Sequence, residues 1–237
     1  MRMRKKPNLV PRMERCAATL ITDPEALRGH WLEHFPGHQA LHLELGCGKG
    51  RFTADTAAAE PDVLLIAIER VQDALVLAME AAIQKGLKNV FFVSLDAANI
   101  DLFFADDEID LLYINFCDPW PRKKNAKRRL TYHTFLEKYK KVLKLGGQIH
   151  FKTDNAKLFA WSLPEMESCY LELRNVTDDL HANGPVGIMT GYEEKFHALG
   201  TPIHRVEAVV VTKQPRPADE KSEKDTEPAA EDEEEPN

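Results

Sequence analysis

Short apolar runs alternate with amphipathic stretches from about residue 40 to residue 153, the rhythm of βα units on a parallel sheet. LHLEL (41–45), VLLIAI (63–68), VFFV (90–93) and DLLYINF (110–116) are predicted strands, the second too apolar to keep a wet face. Residues 50–59 and VQDALVLAMEAAIQK (71–85) carry helical periodicity, the latter ended by Gly86. TYHTFLEKYKKVLKL (131–145) predicts another amphipathic helix, stopped by Gly146-Gly147, with QIHFKT (148–153) as a fifth strand. After Asp154 the pattern loosens into a helix near 156–168, a strand near 169–176, a loop around Gly184–Gly191 and a last strand, VEAVVVTK (206–213). Right-handed crossovers then leave an open twisted sheet with helices on both faces, a doubly wound α/β fold.

Charge changes this picture only at the ends. The formal net charge is -7, and residues 214–237 hold ten acids against Arg216, Lys221 and Lys224, which accounts for all of it. That tail has no aromatic residue with which to bury surface, so it is expected to be disordered. The predicted organisation is a basic N-terminal arm (1–16), one α/β domain (17–213) and the acidic tail (214–237), with Arg2, Arg4, Lys5 and Lys6 as candidate nucleic-acid contacts. Cys16, Cys47, Cys117 and Cys169 are dispersed without a CxxC, which disfavours disulfides and zinc and implies a reducing, cytoplasmic setting. No apolar run approaches a membrane span. His30, His34, His38 and His42 recur every fourth residue, but Pro36 and Gly37 break any helix that would align them, so no metal is expected.

LELGCGKG puts Glu44 at the end of the first strand and Gly46, Gly48 and Gly50 where the chain must turn tightly and let a ligand approach. Arg51 occupies the third glycine position of a dinucleotide fingerprint, and Glu44 would repel a pyrophosphate. Both features favour a cationic ligand without phosphate, and S-adenosylmethionine fits. Glu69 ends the second strand, where it can accept both ribose hydroxyls; Asp96, followed by Ala97, can accept from the adenine amine. One such acid is commonly a solvated strand end. Acids after successive strands beside GxGxG make a binding edge.

Asp118 ends the fourth strand, and Pro119 and Pro121 stiffen the turn that presents it with Trp120. Six cations follow within residues 122–129 and no acid interrupts them, the composition of a phosphate track. An acid-Pro-aromatic-Pro turn is also found in methyltransferases of exocyclic amines. That activity, a non-catalytic RNA-binding module and, less compatible with Arg51, a nicotinamide dehydrogenase are the rival readings.

RMRKKP, LELGCGKG, IAIER, DPWPRKKNAKRRL, GGQIHFKTDN and TGYEEKFHALGTPIHR together closely resemble the bacterial tRNA (guanine-N7-)-methyltransferases of the TrmB type, over nearly everything before the tail. The resemblance implies a Rossmann-like class I methyltransferase with a mostly parallel seven-stranded sheet and an antiparallel last strand. It implies cofactor contacts at Glu44, Gly46, Gly48, Gly50, Glu69, Asp96, Ala97 and Asp118, with Asp118 also the catalytic acid. It further implies substrate contacts at Arg122, Asp154, Thr190, Tyr192 and Glu193, and RNA contacts at Lys124, Asn125, Ala126, Lys127, Arg128 and Arg129. Where the family commonly reads DPWPKKRH, this chain has Arg122, Lys124 and Asn125, which keeps charge at the first two and removes the imidazole at 125.

The implied reaction moves a methyl from S-adenosylmethionine to guanine N7, whose lone pair needs no prior deprotonation. Asp154 is the expected clamp on the guanine N1–H and N2 edge, with Thr190 and Glu193 assisting and Asp118 between cofactor and base; the two aspartates are interchangeable at this level. Either a monomer or a homodimer is compatible with the sequence.

Overall fold

In the computed structural model, which describes residues 7–217, seven strands form one sheet in the order β3-β2-β1-β4-β5-β7-β6. They are β1 (Ala40–Leu45), β2 (Val63–Ile68), β3 (Val90–Val93), β4 (Ile109–Asn115), β5 (Leu143–Thr153), β6 (Leu171–Thr177) and β7 (His204–Val210). β1, β2, β3, β4 and β5 pair in parallel, and β7 runs antiparallel between β5 and β6. The candidate arm residues Arg2, Arg4, Lys5 and Lys6, and residues 218–237 of the tail, lie outside the described residues.

Strand alternation sends side chains to two different cores. Leu41, Leu43, Leu45, Ile66, Leu112, Ile114, Ile149 and Phe151 face the helices α2 (Trp31–His34), α5 (Ile100–Phe103), α6 (His133–Val142) and α7 (Ala156–Ser168). Leu65, Ala67, Phe92 and Tyr113 face α3 (Arg51–Ala59) and α4 (Gln72–Gln84). Both faces of the central strands are covered, which is why their sequence is nearly continuous apolar.

Three boundaries differ from the sequence expectation. The helix expected to run to 145 stops at Val142, and the strand begins at once: Leu143 pairs with Ile109, then the register shifts until Gln148 meets Leu111. Gly146 (φ 83°) and Gly147 therefore form an excursion inside β5 rather than a helix stop. Part of the basic arm is a helix, α1 (Leu9–Arg15), held by two bonds from Arg12 to the Glu80 carboxylate, 2.7 and 2.5 Å, with Cys16 buried behind it. The third is α8 (Gly191–Ala198), in a stretch with no helix assigned from sequence. Its signal was present: Thr190 and Glu193 form a capping box. Described residues beyond 213 also dock, since Lys140 Nζ donates to Gln214 O at 2.6 Å and Arg216 N–H to Glu137 at 3.2 Å.

Gly50 is where the fold and the glycine loop meet. Its φ is 74°, and a Cβ there would sit 2.5 Å from Ala78 Cα, because α3 begins against α4. Gly50→Ala should cost at least about 2 kcal/mol, from left-handed strain plus displacement of α4, measurable by denaturant unfolding; a smaller loss would show that the two helices separate freely.

Candidate active site at the carboxyl edge of the sheet

The chain leaves β1, crosses to β2 and β3, and returns to the other side of β1 as β4, so a crevice opens where strand order reverses. Into it runs the glycine loop. Ile68 O accepts from Gly46 N–H at 2.8 Å and Cys47 N–H at 3.2 Å. Gly46 (φ 76°) and Gly48 (φ 57°) have no atom within 4 Å of a notional Cβ: the backbone conformation demands glycine there, and open space lies in front. Glu69 ties this loop to the next, accepting from Gly48 N–H at 3.0 Å and Val71 N–H at 2.7 Å. Asp96 accepts from Ala98 N–H at 3.0 Å and faces Arg70 Nη1 at 3.4 Å.

The crevice is a cavity of about 690 Å³ whose walls include Gly46, Glu69, Asp96, Ala97, Asn115 and Asp118. Three of the four predicted cofactor acids thus converge on it. Glu44 does not join them. It is 2% exposed, accepts from Thr53 Oγ1 at 2.6 Å and from Asn115 Nδ2 at 3.4 Å, and anchors α3 and β4 from behind the cavity wall. Burial pushes its carboxyl up to about 7, against the lowering effect of the bonds from Thr53 and Asn115 and of the Lys152 charge. Asn115 is a wall residue that sequence reasoning missed; among the described residues no donor reaches its buried Oδ1. Its only signal was a polar residue closing an otherwise apolar strand.

The Asp118–Pro121 turn forms one rim. Phe116 (φ 53°) and Trp120 (φ 41°) are left-handed, an unfavourable backbone for bulky residues that the surroundings must hold. Arg129 supplies that hold: Nε donates to Pro119 O and Nη2 to Trp120 O, both at 3.0 Å, and its guanidinium lies 4.2 Å from the Trp161 ring centre. Arg129, expected from sequence among the RNA contacts, is buried, and with donors aimed at two carbonyls and its cation set over a ring it clamps the turn. Arg122, Lys123, Lys124, Lys127 and Arg128 are exposed, on or beside the 3₁₀ turn 123–128, with Asn125 and Ala126 half-buried between them. Lys127 and Arg128 reach the cavity mouth, Arg128 4.9 Å from the Trp120 ring centre, whereas Arg122 is not part of the wall.

A second rim, outside the residues that line the cavity, carries Asp154, directly after β5, and α8. Tyr192 OH points at Asp154 Oδ2 across 3.5 Å, and its half-exposed ring stacks on Phe196 (4.3 Å) and leans on the cavity-wall residue Phe116 (5.1 Å). Thr190 caps α8 through its side chain. Glu193 is 0% exposed, and its carboxylate accepts from Lys152 Nζ, His181 Nε2 and Thr190 N–H. The sequence expectation puts it beside the base; here the cap that starts α8 turns it inward. The four spaced histidines also scatter, His30 to Glu33 and His42 to Glu60, and no group of three or more metal-ligating side chains occurs among the described residues. No helix among the described residues is long and apolar enough to cross a membrane.

A seven-stranded sheet with one antiparallel strand and a glycine-loop crevice at its switch point defines a Rossmann-like class I methyltransferase. Residues 38–206 match a family described as putative methyltransferase, and the chain belongs to it. It is 44% identical over 209 residues to a tRNA (guanine-N(7)-)-methyltransferase of Bacillus cytotoxicus, covering 88% of this chain and 96% of that one. Among solved structures it shares its fold with the 16S rRNA methyltransferase KamB (TM-score 0.59, 12% identity, 76% of this chain and 93% of that chain). The same holds for a mutant of the 16S rRNA (adenine(1408)-N(1))-methyltransferase from Catenulisporales acidiphilia with cosubstrate SAM (TM-score 0.55, 14% identity, 81% and 93%).

Glu44 makes a pH prediction. Its folded carboxyl holds a proton up to about 7 against an ordinary 4.5, so its contribution is present below 4.5 and is lost as pH rises through about 7. Glu44→Gln removes that loss. Its unfolding free energy relative to wild type should rise by about 3 kcal/mol between pH 4.5 and pH 8. A pH-independent difference would mean that Glu44 is ionised in the fold.

Proposed function

We propose that this chain transfers a methyl group from S-adenosylmethionine to N7 of a guanine in tRNA, in the cytoplasm. The carrying observation is that one continuous turn, Asp118 to Arg129, joins an acid-lined cavity to a cationic ridge, in a chain 44% identical to a tRNA (guanine-N(7)-)-methyltransferase. The carboxylates Glu69, Asp96 and Asp118 in the cavity wall fit the cofactor. Glu69 and Asp96 offer carboxylate oxygens to ribose hydroxyls and an exocyclic amine, Asn115 Oδ1 is a buried acceptor with no partner among the described residues, and Gly46 and Gly48 leave room for close approach. Glu44 supports this wall from behind without touching the ligand. When bound, the cofactor supplies a methyl on a positively charged sulfur.

Guanine N7 presents its lone pair in the ring plane, so the chain's task is orientation. Asp154 accepts from the N1–H and N2 amine, which selects guanine over adenine and stabilises the positive charge that develops on the ring. Tyr192, on its platform of Phe196 and Phe116, offers a face on which the base stacks. Thr190 supports this rim and Asp118 separates base from cofactor. Arg122, Lys124, Lys127 and Arg128 receive phosphates.

Incubation with labelled cofactor and unmodified tRNA, followed by borohydride and aniline cleavage, should break the strand at the methylated guanine; label without such cleavage would refute N7 as the acceptor. Asp154→Asn should erase the preference for guanine over adenine, and an unchanged ratio would remove the clamp.

The ridge and the clamp separate by salt dependence. Lys127→Ala with Arg128→Ala should flatten the salt slope of tRNA binding by about one unit per lost phosphate contact. Arg129→Ala should leave that slope unchanged while lowering methyl transfer about tenfold or more, because the turn carrying Asp118 loses its hold. A reduced slope for Arg129→Ala would restore it to the RNA surface.

A further inference from the structure

Behind the rim that carries Asp154 and Tyr192 lies a buried charge cluster with no part in the chemistry above. Glu193 is 0% exposed, and the side chains of its two partners, Lys152 and His181, are 9% and 1% exposed. We propose that Lys152 and His181 are positioning residues for guanine recognition: through Glu193 they fix Tyr192 against Asp154. The proposal rests on the reading of that rim as the base-binding side.

The cluster joins three chain segments. From β5, Lys152 Nζ donates to Glu193 Oε2 at 2.7 Å and to Ile188 O at 3.2 Å, while lying 5.1 Å from the Phe52 ring centre at the start of α3. From the connection between β6 and α8, His181 Nε2 lies 2.9 Å from Glu193 Oε1. Its Nδ1 accepts from Val186 N–H at 3.1 Å, so the ring proton sits on Nε2 and donates to the carboxylate. The imidazole needs no charge, and its two bonds allow one orientation. Thr190 N–H completes the set, donating to Oε2 at 3.1 Å.

Residues 181, 186, 188 and 190 are thus all tied, directly or through one intermediary, to a single carboxylate. That stretch has no helix or strand of its own to hold it. The connection to the reaction is geometric. Lys152, on β5, precedes Asp154 by two residues, and Glu193 follows Tyr192 on α8, so the Lys152–Glu193 bond fixes how far apart the two base-facing groups stand. The direct contact between those groups is long, 3.5 Å, and does not set that spacing. Burying an ion pair is a poor way to gain stability, since apolar residues of similar volume commonly serve as well. What the pair supplies that apolar packing lacks is direction: a short bond of fixed length between the sheet and α8.

The test compares His181→Phe, which cannot donate to Glu193, with His181→Gln, whose amide can. His181→Phe should lower kcat on tRNA about tenfold and raise KM, as misplacement of a positioned group does. S-adenosylhomocysteine affinity should stay near wild type, melting temperature should fall because buried Glu193 loses a donor, and amide exchange should quicken at residues 181–190. His181→Gln should recover most of kcat. A double variant, Lys152→Met with Glu193→Leu, keeps the volume buried without a charge and should fold with similar stability but with the same kcat defect. Wild-type kcat and KM in His181→Phe or in the folded double variant would overturn the proposal. So would His181→Gln no better than His181→Phe, or a kcat loss accompanied by an equal loss in cofactor affinity. Failure of the wild-type chain to methylate guanine N7 would instead remove the function above, and the exchange rates at 181–190 would still report whether the cluster holds the loop.

Discussion

The site exists because parallel strands covered on both faces have nowhere to keep polar groups except at their ends. Residues such as Leu43, Ile66 and Leu112 are wholly buried against one helical layer, and Leu65 and Ala67 against the other. Glu69, Asp96 and Asp118 fall just beyond the carboxyl ends of β2, β3 and β4, and strand order reverses at that edge between β1 and β4, opening a crevice that they line. The three carboxylates in the wall and a glycine loop that leaves room follow from this one topological constraint.

Around the crevice the chain places buried polar groups whose partners dictate geometry rather than chemistry. Glu44 holds α3 and β4 together through Thr53 and Asn115, and its raised carboxyl is the electrostatic cost of sitting in a dry interior. Arg129 holds a turn that contains a left-handed Trp120. Glu193 gathers a connection without regular structure onto the sheet. In each case desolvation is offset by several directed bonds, and a residue that looks like a ligand contact becomes a support for its neighbours.

The two rims differ in how they are held. The Asp118–Arg129 rim is a single short segment stiffened by two prolines and a guanidinium, so its cationic outer face and its acidic inner face move together. The Asp154–Tyr192 rim is assembled from β5 and α8, far apart in sequence, and depends on a buried bond between them. One rim is thus held by local sequence and the other only through tertiary contacts.

Sequence alone determined the order and type of the central elements, because apolar runs bounded by Gly50, Gly86 and similar breakers carry a local signal. It also determined that Glu69, Asp96 and Asp118 share an edge, since each closely follows a strand whose direction is set by the βα rhythm. Tertiary structure alone decided which polar residues face the crevice and which face inward. Arg129 and its neighbour Arg128 have nearly identical local chemistry, yet the first clamps backbone carbonyls and the second lies exposed over Trp120. Glu193 turns away from the ligand side because Lys152 and His181, 41 and 12 residues distant, wait beneath α8. The end of α6 at Val142 likewise reflects the pairing of Leu143 with Ile109, a long-range gain that outweighs local helical preference through residue 145. Periodicity and spacing record what a residue can do with its near neighbours; the direction of a charged side chain depends on partners that only the folded chain brings within about 3 Å, where desolvation and hydrogen-bond geometry decide.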